Sequence, residues 1–250
     1  MIDINALKIP DIRVLNGNTL KFIAAFSMLV DHIGVLFFPG NSLLRIIGRL
    51  AMPIFAYMIA EGCRYTKNRL RYFLTIFALA VGCQLVYFFA AGDTYMSILV
   101  TFSLSILTIY SLQLFKYMLF TDKPYYLKAA SVILFAFCVG IVYLLNQLLV
   151  IDYGFFGCML PVFTALLHPL RGYEDRMPKL LLDPAVHTLT FAAGLVLLAM
   201  DLSGTQWYSL LVIPLILLYS GRRGKVNTKY FFYIFYPTHL AILQAIAWII

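Results

Sequence analysis

The sequence predicts an all-α polytopic integral membrane protein, and two observations carry that prediction. The 250 residues are 62% hydrophobic and only 12% charged, with a mean hydropathy of +0.89, whereas soluble domains carry about twice that share of charge. Apolar segments also recur at about the 20 residues that a helix needs to cross a bilayer. We therefore expect residues 1–250 to form a single transmembrane domain, one bundle of about nine (nine to ten) helices with no soluble domain.

The nine predicted spans are joined by short polar connections. In order, they are Leu20–Phe38, Leu43–Ala60, Tyr72–Ala91, Tyr95–Met118, Tyr126–Val150, Tyr153–His168, Val186–Met200, Gln206–Ser220 and Tyr230–Ile250. The longest polar stretch, from about Pro169 to Pro184, is too short to fold as a separate domain.

Basic residues lie in alternate gaps between these spans, and such residues mark the cytoplasmic ends of membrane helices. In chain order, the basic groups are Lys8, Arg13 and Lys21; Arg64, Lys67, Arg69 and Arg71; Lys116, Lys123 and Lys128; Arg171, Arg176 and Lys179; and Arg222, Arg223, Lys225 and Lys229. The other gaps carry Asp93, Asp152 and Asp201. We therefore predict a cytoplasmic amino terminus and an external carboxyl terminus. The net charge of +8 is spread over short turns with no long basic arm, which argues against nucleic-acid binding.

Five ionisable residues fall inside the predicted spans, where they are costly and therefore candidates for function. They are Asp31, His32, Arg45, Arg49 and His239. Asp31 and His32 diverge by about 100° on a helix, so each needs a partner on another helix. A histidine can take up and return a proton near neutral pH, as a general base must. The alternative for His32 and His239 is a hydrogen bond that serves packing alone.

Arg45 and Arg49 are four residues apart, on one helix face, in the outer half of the predicted membrane. Two guanidinium groups there can hold a carboxylate, a phosphate or a developing oxyanion. The structural alternative is that one arginine pairs with Asp31 across the short turn at residues 39–42. Gly48 lets another group approach closely, and Pro53 is expected to interrupt the helix beside a cavity.

At the predicted cytoplasmic side, a basic group follows the second span and is a candidate phosphate cradle for a nucleotide or coenzyme A. It comprises Glu61, Arg64, Lys67, Arg69 and Arg71, with Arg222, Arg223 and Lys225 as a second group. Snorkelling of basic side chains at the interface is the alternative. His168 and His187 are expected on a solvated surface. The four cysteines read as packing residues, and no metal site is predicted.

Several of these motifs together resemble the TraX family. They are Leu20-Lys21, Asp31-His32-Ile33-Gly34, Arg45-Ile46-Ile47-Gly48-Arg49 with Pro53 and Phe55, Glu61-Gly62, Thr66-Lys67-Asn68-Arg69, Asp152-Tyr153-Gly154 and Phe235-Tyr236-Pro237-Thr238-His239-Leu240. The resemblance implies an integral inner-membrane protein of a family named for acetylating the amino terminus of pilin, related to transmembrane acyltransferases that use cytosolic acyl-CoA. Ser97 stands where the family pattern leads us to expect Asn.

Residues and resemblance together predict a membrane acetyltransferase whose co-substrate is acetyl-CoA. His32 would deprotonate an amine or hydroxyl acceptor, oriented by Asp31 or by a carboxylate on another helix. Arg45 or Arg49 would stabilise the oxyanion. Tyr236 and His239 would position donor or acceptor. Arg64, Lys67, Arg69 and Arg71, with Glu61, would bind coenzyme A. The acceptor is a protein amino terminus, a glycan or a small molecule.

Two alternatives belong to other functional classes. A proton-coupled transporter of a small anionic solute would use Asp31, His32 and His239 as a proton relay. A non-enzymatic assembly factor would use the same polar groups only to hold its helices together. The apolar perimeter of the bundle would also accommodate a homodimer.

Overall fold

The computed structural model describes residues 13–92, 94–226 and 228–249, and its regular elements in these ranges are helices. Its α-helices are α1 (Gly17–Phe37), α2 (Ser42–Gly48), α3 (Ala51–Tyr65), α4 (Arg69–Ala91), α5 (Ile98–Leu119), α6 (Tyr125–Leu148), α7 (Gly154–Leu166), α8 (Pro184–Leu202), α9 (Ile213–Leu217) and α10 (Lys229–Ile249). Short 3-10 helices occupy Glu174–Arg176, Lys179–Leu182 and Gly204–Val212. Lys8 and Asp93, which entered the charge pattern, lie outside the described residues.

Six helical segments among the described residues are long and apolar enough to cross a membrane. They are α1, the α2–α3 unit, α4, α5, α6 and α10. Three shorter apolar helices, Gly154–Leu166, Val186–Leu202 and Gly204–Leu217, coincide with the remaining predicted spans. The all-helical membrane-protein prediction is therefore supported, whereas the count of nine stays a prediction.

The second predicted span is not one continuous helix. α2 ends at Gly48, and α3 begins at Ala51 after a turn at Arg49 and Leu50. Pro53 lies in the first turn of α3, where a missing backbone N–H is tolerated because it has no intrahelical partner. The expectation that Pro53 itself interrupts the helix is wrong, since the break precedes it.

The eighth predicted span also differs from expectation. Residues 206–220 were predicted as a single helix, but the chain forms the 3-10 helix Gly204–Val212 and then the short helix α9. Pro214 at the start of α9 suits that position because its fixed backbone angle favours a first helical turn.

Long-range contacts sort the helix ends into two groups. At one end, the backbone N–H of Gly17 donates to the Arg222 carbonyl at 2.8 Å, and the Arg171 guanidinium donates to the Tyr65 carbonyl at 3.4 Å. We name this the basic end. At the opposite end, the Met96 N–H donates to the Val150 carbonyl and the Asp152 N–H donates to the Met96 carbonyl, both at 2.9 Å. The alternation of basic gaps therefore corresponds to a real division of the bundle.

The core lies around α3 and α5. In the most apolar 18 residues of the α2–α3 unit and of α5, 56% of the residues are buried. The corresponding share is 11% in α4, α6 and α10. Ile54, Ile106 and Leu160 are fully enclosed in this core. Most apolar side chains of α4, α6 and α10 are instead exposed or half-buried, as expected of helices that contact lipid.

The orientation prediction can be tested with single cysteines at the two ends. Gly40 and Asp175 are exposed, and a Cβ at Gly40 would meet nothing within 4 Å. We expect a membrane-impermeant maleimide to label Gly40→Cys in intact cells and Asp175→Cys only after permeabilisation, because basic gaps remain in the cytoplasm. Wild-type protein labelled in parallel is the control for reaction of the native cysteines. The reverse labelling pattern would overturn the orientation.

Candidate active site

A cavity of about 1140 Å³ contains most of the candidate residues. Near the opposite end it is lined by Asp31, His32, Arg45, Arg49, Tyr95 and Asp152, and near the basic end by Lys21, Glu61, Tyr219 and Arg223. Lys21 and His32 are both on α1, and at 1.5 Å per residue they are separated by about 16 Å along its axis. One cavity therefore joins the predicted general base to cationic groups at the basic end.

Asp31 pairs with both arginines of the α2 segment. Its Oδ1 lies 2.8 Å from Arg45 Nη1 and 3.5 Å from Arg49 Nη2. The pairing of one arginine with Asp31, the structural alternative drawn from the sequence, is present, and the second arginine also lies within ion-pair distance. Arg49 also donates to Gln206 Oε1 at 3.2 Å, which ties the pair to the 3-10 helix that follows α8.

Gly48 makes this ion pair possible. A Cβ built on Gly48 would overlap the Asp31 carboxyl group, so any larger residue would push α1 and α2 apart. The turn at residues 38–41 connects the two helices directly, with the Asn41 N–H bonded to the Phe38 carbonyl at 2.9 Å. The hairpin inferred from the sequence is confirmed, and Gly48 sets how closely its two arms approach.

His32 finds its partner on α10, as the divergence of Asp31 and His32 on α1 requires. His32 Nδ1 is 2.8 Å from the Met28 carbonyl and 3.3 Å from His239 Nε2. His239 Nδ1 is in turn 2.8 Å from the Phe235 carbonyl. A carbonyl only accepts, so each Nδ1 carries a proton, and neutral His32 has its free lone pair on Nε2. This is the tautomer that a general base in the cavity needs.

Asp152 is held in an unusual backbone turn between α6 and α7. Tyr153 and Gly154 follow it with φ of 60° each, a conformation that costs energy for a residue with a side chain. The Tyr95 hydroxyl donates to Asp152 Oδ1 at 2.5 Å. Burial raises the pKa of Asp152, and the bond from Tyr95 opposes that shift. A second carboxyl group therefore lies at the same end of the cavity as Asp31.

The predicted cofactor residues divide between two cavities. Glu61 and Tyr236 line the large cavity, with Glu61 accepting from the Tyr219 hydroxyl at 3.2 Å. Arg64 and Arg69 line a separate cavity of about 350 Å³. The exposed residues Lys67 and Arg71 line neither of these two cavities.

The expectation of a solvated surface for His168 and His187 is wrong. Their exposed fractions are 5% and 4%, and their rings are 4.7 Å apart. His187 Nε2 lies 2.7 Å from the Leu181 carbonyl, and the His168 ring packs against Tyr57 of α3. The pattern of apolar spans did not predict these contacts.

Two groups of the cavity, Lys21 and Asp152, were recognised in the sequence as topology signals and as parts of family motifs, but not as site residues. Lys21 precedes His32 by eleven residues, just over three helical turns, so the two share a face of α1. That spacing could have identified Lys21. Asp152 was assigned to an acidic gap and to the Asp152-Tyr153-Gly154 motif without a role in the site, although this motif contains the strained turn. The approach of Tyr95 to Asp152 depends on packing between distant segments and left no local signal.

A family model described as TraX protein matches residues 16–247. The chain belongs to the TraX family. It is also similar to a protein of Dichelobacter nodosus named "Probable fimbrial assembly protein FimC, serogroup H1", with 26% identity over 243 residues, 90% of this chain and 92% of the relative. A shorter match, 40% identity over 52 residues and 21% of each chain, is to "Uncharacterized protein RP591" of Rickettsia prowazekii (strain Madrid E). No solved structure matches.

Most of the motifs that indicated the TraX family lie around one site in the structure. The large cavity is lined by Asp31, His32, Arg45, Arg49, Glu61, Asp152, Tyr153 and Tyr236. His239 contacts the Nδ1 side of the His32 ring. Residues that are far apart in this TraX-family chain therefore meet at one polar site.

The steric role of Gly48 gives a stability prediction. We expect Gly48→Ala to lower stability by about 1–3 kcal/mol, within the usual range for a disrupted buried contact, because the methyl group displaces Asp31. The matched control is Gly82→Ala in α4, where a Cβ would meet nothing within 4 Å and helix propensity favours Ala by about 1 kcal/mol. The melting temperatures of both variants are measured by thermal unfolding in detergent. Equal melting temperatures for the two variants would contradict this role for Gly48.

Proposed function

We propose that the protein is a membrane acetyltransferase that moves an acetyl group from cytosolic acetyl-CoA to an amine or hydroxyl acceptor. The observation that carries the proposal is the single cavity that joins the basic end to His32. A long donor with phosphates at one end and a thioester at the other suits such a cavity. Membership of the TraX family supports the same class of reaction.

The donor phosphates are proposed to bind Lys21 and Arg223, the cationic groups of the large cavity at its basic end. Thr228 and Tyr233 line the same region and offer hydroxyl groups. The thioester would then extend along α1 toward His32. Arg64, Lys67, Arg69 and Arg71 remain predicted phosphate ligands, and the variants described below separate the two sets.

The proposed chemistry uses His32 Nε2 as the base. The acceptor nitrogen or oxygen attacks the thioester carbonyl carbon and loses its proton to His32. The carbon–sulfur bond then breaks, and the thiolate of coenzyme A takes up that proton. His239 Nε2, 3.3 Å from His32 Nδ1, accepts from the protonated ring and stabilises its positive charge. His239 is therefore proposed as a positioning residue.

Arg49 is the better placed arginine for the thioester oxyanion. Its side chain is 11% exposed, against 31% for Arg45, and buried donors stabilise charge more strongly. Its Nε atom is buried with no hydrogen-bond partner among the described residues. Arg45 is instead committed to Asp31 at 2.8 Å.

The acceptor is proposed to enter at the opposite end, beside Tyr95 and Asp152. Tyr95 is 41% exposed, so this end is open to solvent. The relative named as a probable fimbrial assembly protein makes the amino terminus of a pilin subunit the first acceptor to test. The same name favours a second candidate, an assembly factor that performs no chemistry.

The catalytic proposal predicts distinct effects of two variants on purified protein. We expect His32→Gln to bind acetyl-CoA normally in calorimetry but to transfer [14C]acetyl to cell-envelope acceptors at least about a hundredfold more slowly, because its base is lost. His239→Gln should lose about tenfold and shift the pH profile of the rate. Normal transfer by folded His32→Gln would exclude this mechanism. Absence of acetyl-CoA binding in folded wild type would favour the assembly factor.

Donor binding can be assigned to one of the two basic groups. We expect Lys21→Gln or Arg223→Gln to weaken acetyl-CoA binding about tenfold, since each removes a charge-assisted contact of about 1.5 kcal/mol. Neither should affect S-acetylpantetheine, which lacks the phosphates. Lys123→Gln at an exposed position is the control. If Arg64→Gln and Arg69→Gln show the loss instead, the phosphates bind at the other group.

A further inference from the structure

The smaller cavity, of about 350 Å³, lies at the basic end among α3, α5 and the segment after α7. Its cationic and histidine residues are Arg64, Arg69, Lys116, His168 and Arg171. Arg69 and Arg171 are exposed, whereas Lys116 and His168 are buried. Basic side chains therefore extend from the solvent-exposed rim to the interior of this cavity, which we name the basic pocket.

The positive charge of the basic pocket is poorly compensated. Glu61 is the one carboxylate within ion-pair distance of these residues in the described part of the chain, 3.8 Å from both Arg64 Nη1 and His168 Nδ1. That oxygen is too distant for a hydrogen bond, and Glu61 lines the large cavity instead. Arg69, Lys116 and Arg171 have no carboxylate within ion-pair distance in the described part of the chain, an arrangement that favours an added anion.

Each arginine of the basic pocket lies beside an aromatic ring. The guanidinium carbons of Arg64 and Arg171 lie 5.0 and 5.9 Å from the centre of the Tyr65 ring. Arg69 lies 5.6 Å from the centre of the Tyr110 ring. Stacking on aromatic rings restricts guanidinium groups while leaving their N–H donors free to bond, so an anion would meet preorganised donors.

Several buried polar atoms in the basic pocket lack hydrogen-bond partners among the described residues. His168 is 5% exposed, and neither ring nitrogen has a hydrogen-bond partner among the described residues. The same holds for Arg64 Nε. Lys116 donates to the Ala165 and His168 carbonyls at 2.6 and 2.9 Å, which leaves one of its three N–H groups unassigned. Buried polar groups of this kind are costly unless a ligand or water satisfies them.

We propose that the basic pocket is a binding site for a phosphate group, distinct from the donor site of the large cavity. A phosphate offers several acceptor oxygens in different directions and matches the arginine fork. Arg64 and Arg171 contact it near the rim, and Lys116 and His168 contact it in the interior. The phosphate belongs either to a soluble phosphate compound or to an anionic lipid headgroup, since the pocket opens at the end where α3, α5 and α7 all terminate.

Inorganic phosphate is the first probe, titrated calorimetrically against the purified full-length protein in detergent. Arg171→Gln removes an exposed guanidinium and should weaken phosphate binding at least about tenfold. Arg176→Gln is the matched control, because Arg176 is exposed in the same segment but does not line the pocket. Equal binding by wild type and Arg171→Gln, with both folded, would overturn a soluble-phosphate site.

A second arm distinguishes the lipid source. Nanodiscs of phosphatidylglycerol and of phosphatidylcholine are compared by native mass spectrometry for lipid that stays bound to the protein. A headgroup site predicts selective retention of phosphatidylglycerol by wild type and by Arg176→Gln, with loss in Arg171→Gln. A soluble-phosphate site predicts phosphate affinity that is the same in both lipids. If neither phosphate binding nor selective lipid retention is observed, the proposal is overturned. Because neither arm measures acetyl transfer, that result is separate from failure of the acetyltransferase proposal.

Discussion

The ion pair of Asp31 with Arg45 and Arg49 is the constraint on which the candidate site depends. An isolated carboxylate in an apolar bundle is costly, and the two guanidinium groups offset that cost only if the helices that carry them are in contact. Gly48 permits the contact. The break at Arg49 and Leu50 ends α2 where its arginines face Asp31. Satisfying one buried charge thus sets the geometry of three helices.

The same pairing determines what can surround His32. Because Asp31 is committed to the arginines, the carboxylate next to His32 in sequence does not orient its ring. That task falls to the Met28 carbonyl and to His239 on α10. The imidazole of His32 is therefore held by a backbone carbonyl and a second imidazole, and by no carboxylate among the described residues.

The sequence predicted what depends on local pattern. Composition and periodicity were sufficient for the helical membrane class, and alternating basic gaps separated the two ends of the bundle correctly. The spacing of Asp31, His32, Arg45 and Arg49 identified residues that share one cavity. Contacts between segments that are distant in the chain could not be predicted. These contacts bury His168 and His187, join Tyr95 to Asp152, and place Lys21 and Arg64 at two different cavities. A charge pattern locates the end of a helix and carries no information on which cavity that end lines.

Glu61 contacts residues that line both cavities. Its carboxylate accepts from Tyr219 and lines the large cavity, while its Oε1 lies 3.8 Å from Arg64 and His168, which line the basic pocket. An anion bound by Arg64 would compete with Glu61 for the same guanidinium. Glu61 would then depend more on Tyr219, whose ring also lines the large cavity. A binding event in one cavity would therefore change the hydrogen bonding at the wall of the other, through a single carboxylate and without movement of a helix.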